Sequence, residues 1–176
     1  GLDAPELASV RSALQLVLTG HQPYPAVVIN RWWELLDANP AVGVLTTGCA
    51  AELLSPPVNV LRLSLHPDGM APRIANLAQW RGHLLSQVRR RAEQTGDARL
   101  HELYGELRGY PGGAEAPRAD VSVVLPLRLR HDRGDLSFFS VAASVETAAD
   151  VTVEELVVES FYPADTATAE YLRMLA

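Results

Sequence analysis

Hydrophobic and polar positions alternate most clearly between Val121 and Val145. Val121, Val123, Leu125, Leu127 and Leu129 alternate with Ser122, Arg128 and Arg130, which is the period of a half-buried strand. His131-Asp132-Arg133-Gly134 then offers a polar turn, with a glycine available for a positive φ. The chain returns through Leu136 to Val145, with Phe139, Val141, Ala143 and Val145 on one face. The pattern predicts a long β-hairpin. Pro126 cannot donate to a ladder, which places the first strand at a sheet edge or gives it a bulge. A hairpin alone is marginal in water, so it needs further strands and a helical cover.

The rest of the chain supplies both. Leu7, Val10, Leu14 and Val17 recur at helical spacing, and Gly20 is a plausible cap. Ala26-Val27-Val28-Ile29 and Trp32-Trp33-Glu34-Leu35-Leu36 read as two strands joined by Asn30-Arg31. Asn39 and Pro40 open a short helix, and Asn59 caps another through Leu65. A long helix is expected from about Pro72 to Thr95, with Ile74, Leu77, Leu84 and Val88 as its core stripe. Gly96 ends it, and Asp97 caps the next helix, which carries Leu100, Leu103, Tyr104 and Leu107. Gly109 to Pro117 reads as a mobile loop. Asp150 to Tyr162 reads as a fifth, central strand, and Asp165 opens a final helix. The fold class is α+β: five mostly antiparallel strands with helices packed on one face, in the order of a PAS-like domain.

Bulk properties narrow the function. One domain of 176 residues can bury a real core. A net charge of −6 argues against this chain gripping nucleic acid by itself. The single cysteine, Cys49, excludes an internal disulfide and suits a reducing cytoplasm. It reads as a buried structural thiol, since no base is evident beside it. No apolar run reaches the ~20 residues of a membrane span, and no signal peptide is evident.

Several blocks together resemble one family. Pro25-Ala26-Val27-Val28-Ile29-Asn30-Arg31-Trp32-Trp33-Glu34-Leu35-Leu36-Asp37-Ala38-Asn39 resembles the opening block of the MmyB-like ligand-binding domain. Asn59 to Gly69, Pro72 to Asn76, Gly134 to Ser140 and Glu159 to Asp165 are similar to later blocks, in the same order. The family usually has Arg before Trp where Trp32-Trp33 stands, so Trp33 matches and Trp32 departs. The resemblance implies a PAS-like sensor, the C-terminal half of XRE-class helix-turn-helix regulators. Such a domain would hold a small apolar ligand such as a fatty acid. It would signal to an N-terminal DNA-binding domain that is absent from this chain. Residues 1–20 would be the connector helix and 21–176 the ligand-binding domain, with DNA reached only through the missing domain.

On the long helix, Arg73, Asn76, Trp80 and His83 fall at steps of three and four, which places them on one face. As a ligand site, Arg73 would pair with a carboxylate, Asn76 would add a hydrogen bond and Trp80 would wall the apolar part. The plain reading is a partly solvated face with one packed Trp. Trp33 and Phe139 are candidate pocket walls or ordinary core aromatics. No histidine pairing suggests a metal. Glu154 and Glu155 point to opposite faces of a strand, and no nucleophile motif occurs, so no enzyme is expected. Arg89-Arg90-Arg91 reads as a charge cluster at a helix end. The alternative to a sensor is a protein-interaction domain without a ligand, forming a homodimer through the first helix or the edge strand.

Overall fold

The computed structural model describes residues 8–112, 124–145 and 155–176. Helix α1 (Ala8–His21) leads into strands β1 (Ala26–Ile29) and β2 (Leu35–Ala38). Four helices follow: α2 (Gly43–Thr46), α3 (Val60–Leu65), α4 (Leu77–Thr95) and α5 (Ala98–Arg108). Strands β3 (Leu127–Leu129), β4 (Leu136–Ser144) and β5 (Val157–Pro163) precede α6 (Thr166–Leu175). The sheet runs β2-β1-β5-β4-β3, antiparallel throughout. This is the five-stranded antiparallel α+β arrangement that the element order predicts. β3 is an edge strand immediately after Pro126, as the missing donor requires. Val121–Val123 of the expected first strand, the Gly113–Pro117 end of the expected loop and Asp150–Glu154 of the expected fifth strand lie outside the described residues.

The sheet is covered on both faces, not one. On the inner face, Val27, Ile29, Phe138 and Phe161 pack with Leu84 and Val88 of α4 and Leu100 of α5. On the outer face, Ala26, Val28, Leu156 and Val158 pack against Leu14 and Leu18 of α1. Every residue of β1 is therefore buried. The apolar run in its sequence answers to two layers, as expected of a strand covered on both sides.

Local chemistry sets most helix ends. The Asn59 side chain accepts from the backbone N–H groups of Leu61 and Arg62. Asp97 accepts from Arg99 and Asp165 from Thr168. Gly96 ends α4 at φ 65°, the left-handed conformation that glycine adopts without a Cβ clash.

Three expectations need correction. The long helix does not begin near Pro72. Ala71–Arg73 form one 3₁₀ turn, Ile74 is extended, and α4 starts at Leu77. The backbone of this segment is engaged elsewhere: Ile74 bridges Leu129, Ala75 N–H donates to the Arg128 carbonyl, and Arg130 N–H donates to the Arg73 carbonyl. These bonds close the open edge of β3 and are incompatible with helical hydrogen bonding. The second strand does not begin at Trp32 either. Trp33 has φ 60°, a conformation that breaks extension; pairing with β1 begins at Leu35, and a bulge at Leu36 follows.

Asn39 is the third. It precedes the 3₁₀ turn Pro40–Val42 without capping it. Its amide is buried and shared among three chain segments: it accepts from Ala26 N–H at 3.1 Å and donates to the carbonyls of Leu18 at 3.0 Å and Tyr24 at 2.9 Å. Asn39 thereby ties the end of α1 to the start of β1. Asn39→Ala strands one buried donor and two acceptors, so we expect a loss of about 3 kcal/mol, read as a lower midpoint in urea unfolding.

Candidate functional site

A cleft of about 450 Å³ lies between α4 and the inner face of the sheet. Its α4 wall is built by helical spacing: Trp80, His83, Leu84, Gln87, Arg90, Arg91 and Gln94 recur every three or four residues. Its sheet wall is built by strand alternation, with Ser140 and Ala142 from β4 and Val157 and Glu159 from β5. Ile29, Trp33, Trp80 and Leu84 are buried and form the floor. His83, Arg90 and Gln94 are exposed at the mouth. The lining is mixed, apolar at depth and polar at the rim, in place of the mostly apolar hollow that the fold suggests.

The floor is held rigidly. The Trp80 indole N–H donates to Ser64 Oγ at 3.1 Å, fixing the ring against α3. Trp33 is held by its own N–H donating to the Asn30 carbonyl and by its carbonyl accepting from Val60 N–H. The Arg91 guanidinium lies 4.2 Å from the centroid of the Trp33 ring, a cation–π contact. Arg91 also donates to the Arg31 carbonyl at 3.3 Å. Next to this, Trp32 is sandwiched between Arg31 at 4.1 Å and Arg99 at 3.9 Å, and its indole N–H donates to Asp97 Oδ2 at 2.8 Å. The β1–β2 turn is thus bonded to the end of α4 and the start of α5.

The cleft brings together three of the six residues singled out in the sequence: Trp33, Trp80 and His83. It does not bring in the other three. The Arg73 guanidinium donates to the carbonyls of Val44, Leu45 and Thr47, at the end of α2. It satisfies carbonyls that a helix end leaves open. Asn76 donates to the Pro126 carbonyl at 2.7 Å and accepts from Arg128 N–H at 3.1 Å, joining the start of α4 to the β3 edge. Phe139 lies on the opposite face of the sheet, stacked on Tyr162 at 5.3 Å. The helical register assumed for Arg73 and Asn76 is the error, because the chain is not helical there.

Sequence reasoning passed over Arg90, Arg91 and Glu159. Arg89 does behave as a surface charge, paired with Glu93 at 3.0 Å. Arg90 and Arg91 extend the Trp80–His83 stripe by two turns, and that continuation was the available signal. For Glu159 the signal was a carboxylate at an inward position between Val157 and Phe161.

Electrostatics follow from the packing. His83 is open to solvent on one side and turned into the cleft wall on the other; that partial desolvation, reinforced by the nearby Arg90 charge, pushes its imidazole below its ordinary value. Burial pushes the Glu159 carboxyl up, opposed by a hydrogen bond from Ser140. Cys49 is half-buried, and desolvation raises its thiol against the opposing pull of Arg73. A raised thiol is a poor nucleophile, consistent with a structural role. Among the described residues there is no cluster of three metal-type ligands and no helix long and apolar enough to cross a membrane.

A family model described as the MmyB-like transcription regulator ligand binding domain matches residues 10–175. No curated protein matches the chain. Among solved structures, the chain is similar to a PAS domain from a two-component sensor histidine kinase, at 11% identity and a TM-score of 0.38, covering 89% of this chain and 98% of that one. It is also similar to the PAS domain of Bordetella pertussis BvgS, at 13% identity and a TM-score of 0.39, covering 95% of this chain and 94% of that one.

The raised Glu159 carboxyl gives a stability test. Below its unfolded value of about 4.3, the group is protonated in both states and costs nothing. As pH rises through the higher folded value, the unfolded chain ionises more readily, and the fold loses stability. Glu159→Gln cannot ionise. The variant is expected to gain on the native protein in thermal unfolding as pH rises from 4 to 8, with the gap levelling off once the folded carboxyl has ionised.

Proposed function

The chain belongs to the MmyB-like transcription regulator ligand binding domain family, and from that we propose that it senses a small amphipathic molecule in the cleft between α4 and the sheet. The family makes it a regulatory ligand-binding domain. The observation that carries the finer reading is the cleft itself. Its volume of about 450 Å³ falls within the ~300–1,000 Å³ of small-molecule sites. Buried indoles and aliphatic side chains line its depth, and arginine stands at its mouth. A fatty-acid-like ligand fits that gradient, with its chain on Trp33, Trp80 and Leu84 and its acid group near Arg90 and His83. Arg73 and Asn76, engaged with backbone elsewhere, are not assigned to the ligand, and neither is Phe139.

The route outward uses strand alternation. Ile29 and Val157 line the cleft, while their neighbours Val28 and Val158 hold α1 on the far side. A ligand that displaces β1 or β5 acts on the surface that α1 grips. In a longer regulator, α1 would carry that change to a helix-turn-helix domain, and DNA would be bound there. A ligand shifts such an equilibrium only by its differential affinity for the two arrangements.

A second reading, an interaction domain, draws on apolar side chains left open at Leu16 of α1, 75% exposed, and Val141 of β4, 50% exposed. Light scattering separates the two: a stable dimer indifferent to added acids supports the interaction reading, and a ligand-responsive protein supports the sensor.

For the sensor, organic extraction of the purified protein followed by mass spectrometry should recover an acyl compound. Added long-chain acid should raise the melting temperature. Arg90→Ala should weaken acid binding about tenfold, or ~1.4 kcal/mol, in titration calorimetry, while Arg73→Ala should cost stability without that selective loss. Binding should also raise the His83 pKa, followed by NMR, because an acid group opposes the Arg90 charge. Protein that is consistently empty and does not respond to acids would sink the sensor reading.

A further inference from the structure

Glu159 occupies the middle of the central strand, directly beside Val27 of β1 and Ala142 of β4. It faces the cleft. Neither neighbouring side chain offers a hydrogen bond. The Ser140 hydroxyl supplies one, whereas a carboxylate presents about four acceptor positions. Glu159 is half-buried, so its carboxyl loses part of its hydration on folding, and valine would pack against Val27 and Ala142 without that penalty. Among the described residues it has no ion-pair partner, and its open side faces the cleft. Arg90 stands on the facing wall of the same cleft.

We infer that the cleft selects an amphipathic acid that also carries a hydroxyl, with Glu159 as the specificity-determining residue that accepts from that hydroxyl. The acid group lies toward Arg90, and the hydroxyl reaches the sheet wall. A hydroxyl satisfies the carboxyl without adding charge, whereas an ammonium would meet Arg90 and Arg91 in the same space and be repelled. The inference rests on the cleft being the ligand site proposed above.

The test is titration calorimetry on the whole chain. The probes are a long straight-chain acid and the same acid with its hydroxyl moved stepwise along the chain. At least one hydroxylated acid should bind roughly tenfold to a hundredfold tighter than the plain acid, the range of a hydrogen bond to a charged group. Glu159→Val should collapse that ratio to near unity. Glu159→Gln, which keeps the shape and loses the charge, should shrink it, and it serves if the valine variant does not fold. Equal affinity for plain and hydroxylated acids, or a preference that survives the substitution, overturns the inference and leaves the cleft as an acid site. Failure of every acid to bind removes the cleft reading and the inference together.

Discussion

The structure depends on burying β1 and β5 from both sides. The α4 and α5 layer covers one face and α1 the other, and the alternate residues of two short strands serve both. This constraint fixes register. A slip of one residue would carry Val28 and Val158 to the inner layer and expose Val27 and Ile29 to α1. Asn39 reinforces it by bonding the end of α1, the approach to β1 and the first residue of that strand through one side chain. The cleft is a by-product of the same geometry. Beside the buried part of the inner face, α4 stands off from β4 and β5, and the residues that would fill the gap are small or polar, as Ser140 and Ala142 are.

Much of the fold was legible in the chain. Asn59, Asp97 and Asp165 cap helices because short polar side chains satisfy free N–H groups, and this requires only local sequence. Pro126 placed β3 at an edge for a similarly local reason. What failed was non-local. Pro72 to Asn76 carries a helix-compatible pattern, yet its backbone is drawn to the open edge of β3, more than fifty residues away. Trp32 to Leu36 looks like a continuous strand, but the Asn30 side chain accepts from the N–H groups of Trp32 and Glu34 and bends it. That the sheet has two covered faces was present in the unbroken burial of β1, since Ala26-Val27-Val28-Ile29 shows no polar position.

The site was legible in halves. Trp80 and His83 lie in true helix, so their spacing put both on the α4 wall of the cleft. Arg73 and Asn76 lie before it and were carried along by the same arithmetic. Arg90 and Arg91 were hidden by composition: three consecutive arginines read as a solvated helix end, although the three point in different directions around α4. One pairs with Glu93, and the other two line the cleft, one of them lying over Trp33. Glu159 could be put on the face of Val157 and Phe161 from sequence, but the strands that flank it could not.

Trp33 combines two demands that rarely meet in one residue. Its indole forms part of the cleft floor, and its backbone occupies the left-handed region, where a side chain costs roughly 1–3 kcal/mol. Glycine would relax the backbone and remove the wall; any other large residue would keep the tension. The turn between the first two strands therefore keeps a strained backbone for the sake of an aromatic ring, and the arginine resting on that ring belongs to the helix across the cleft.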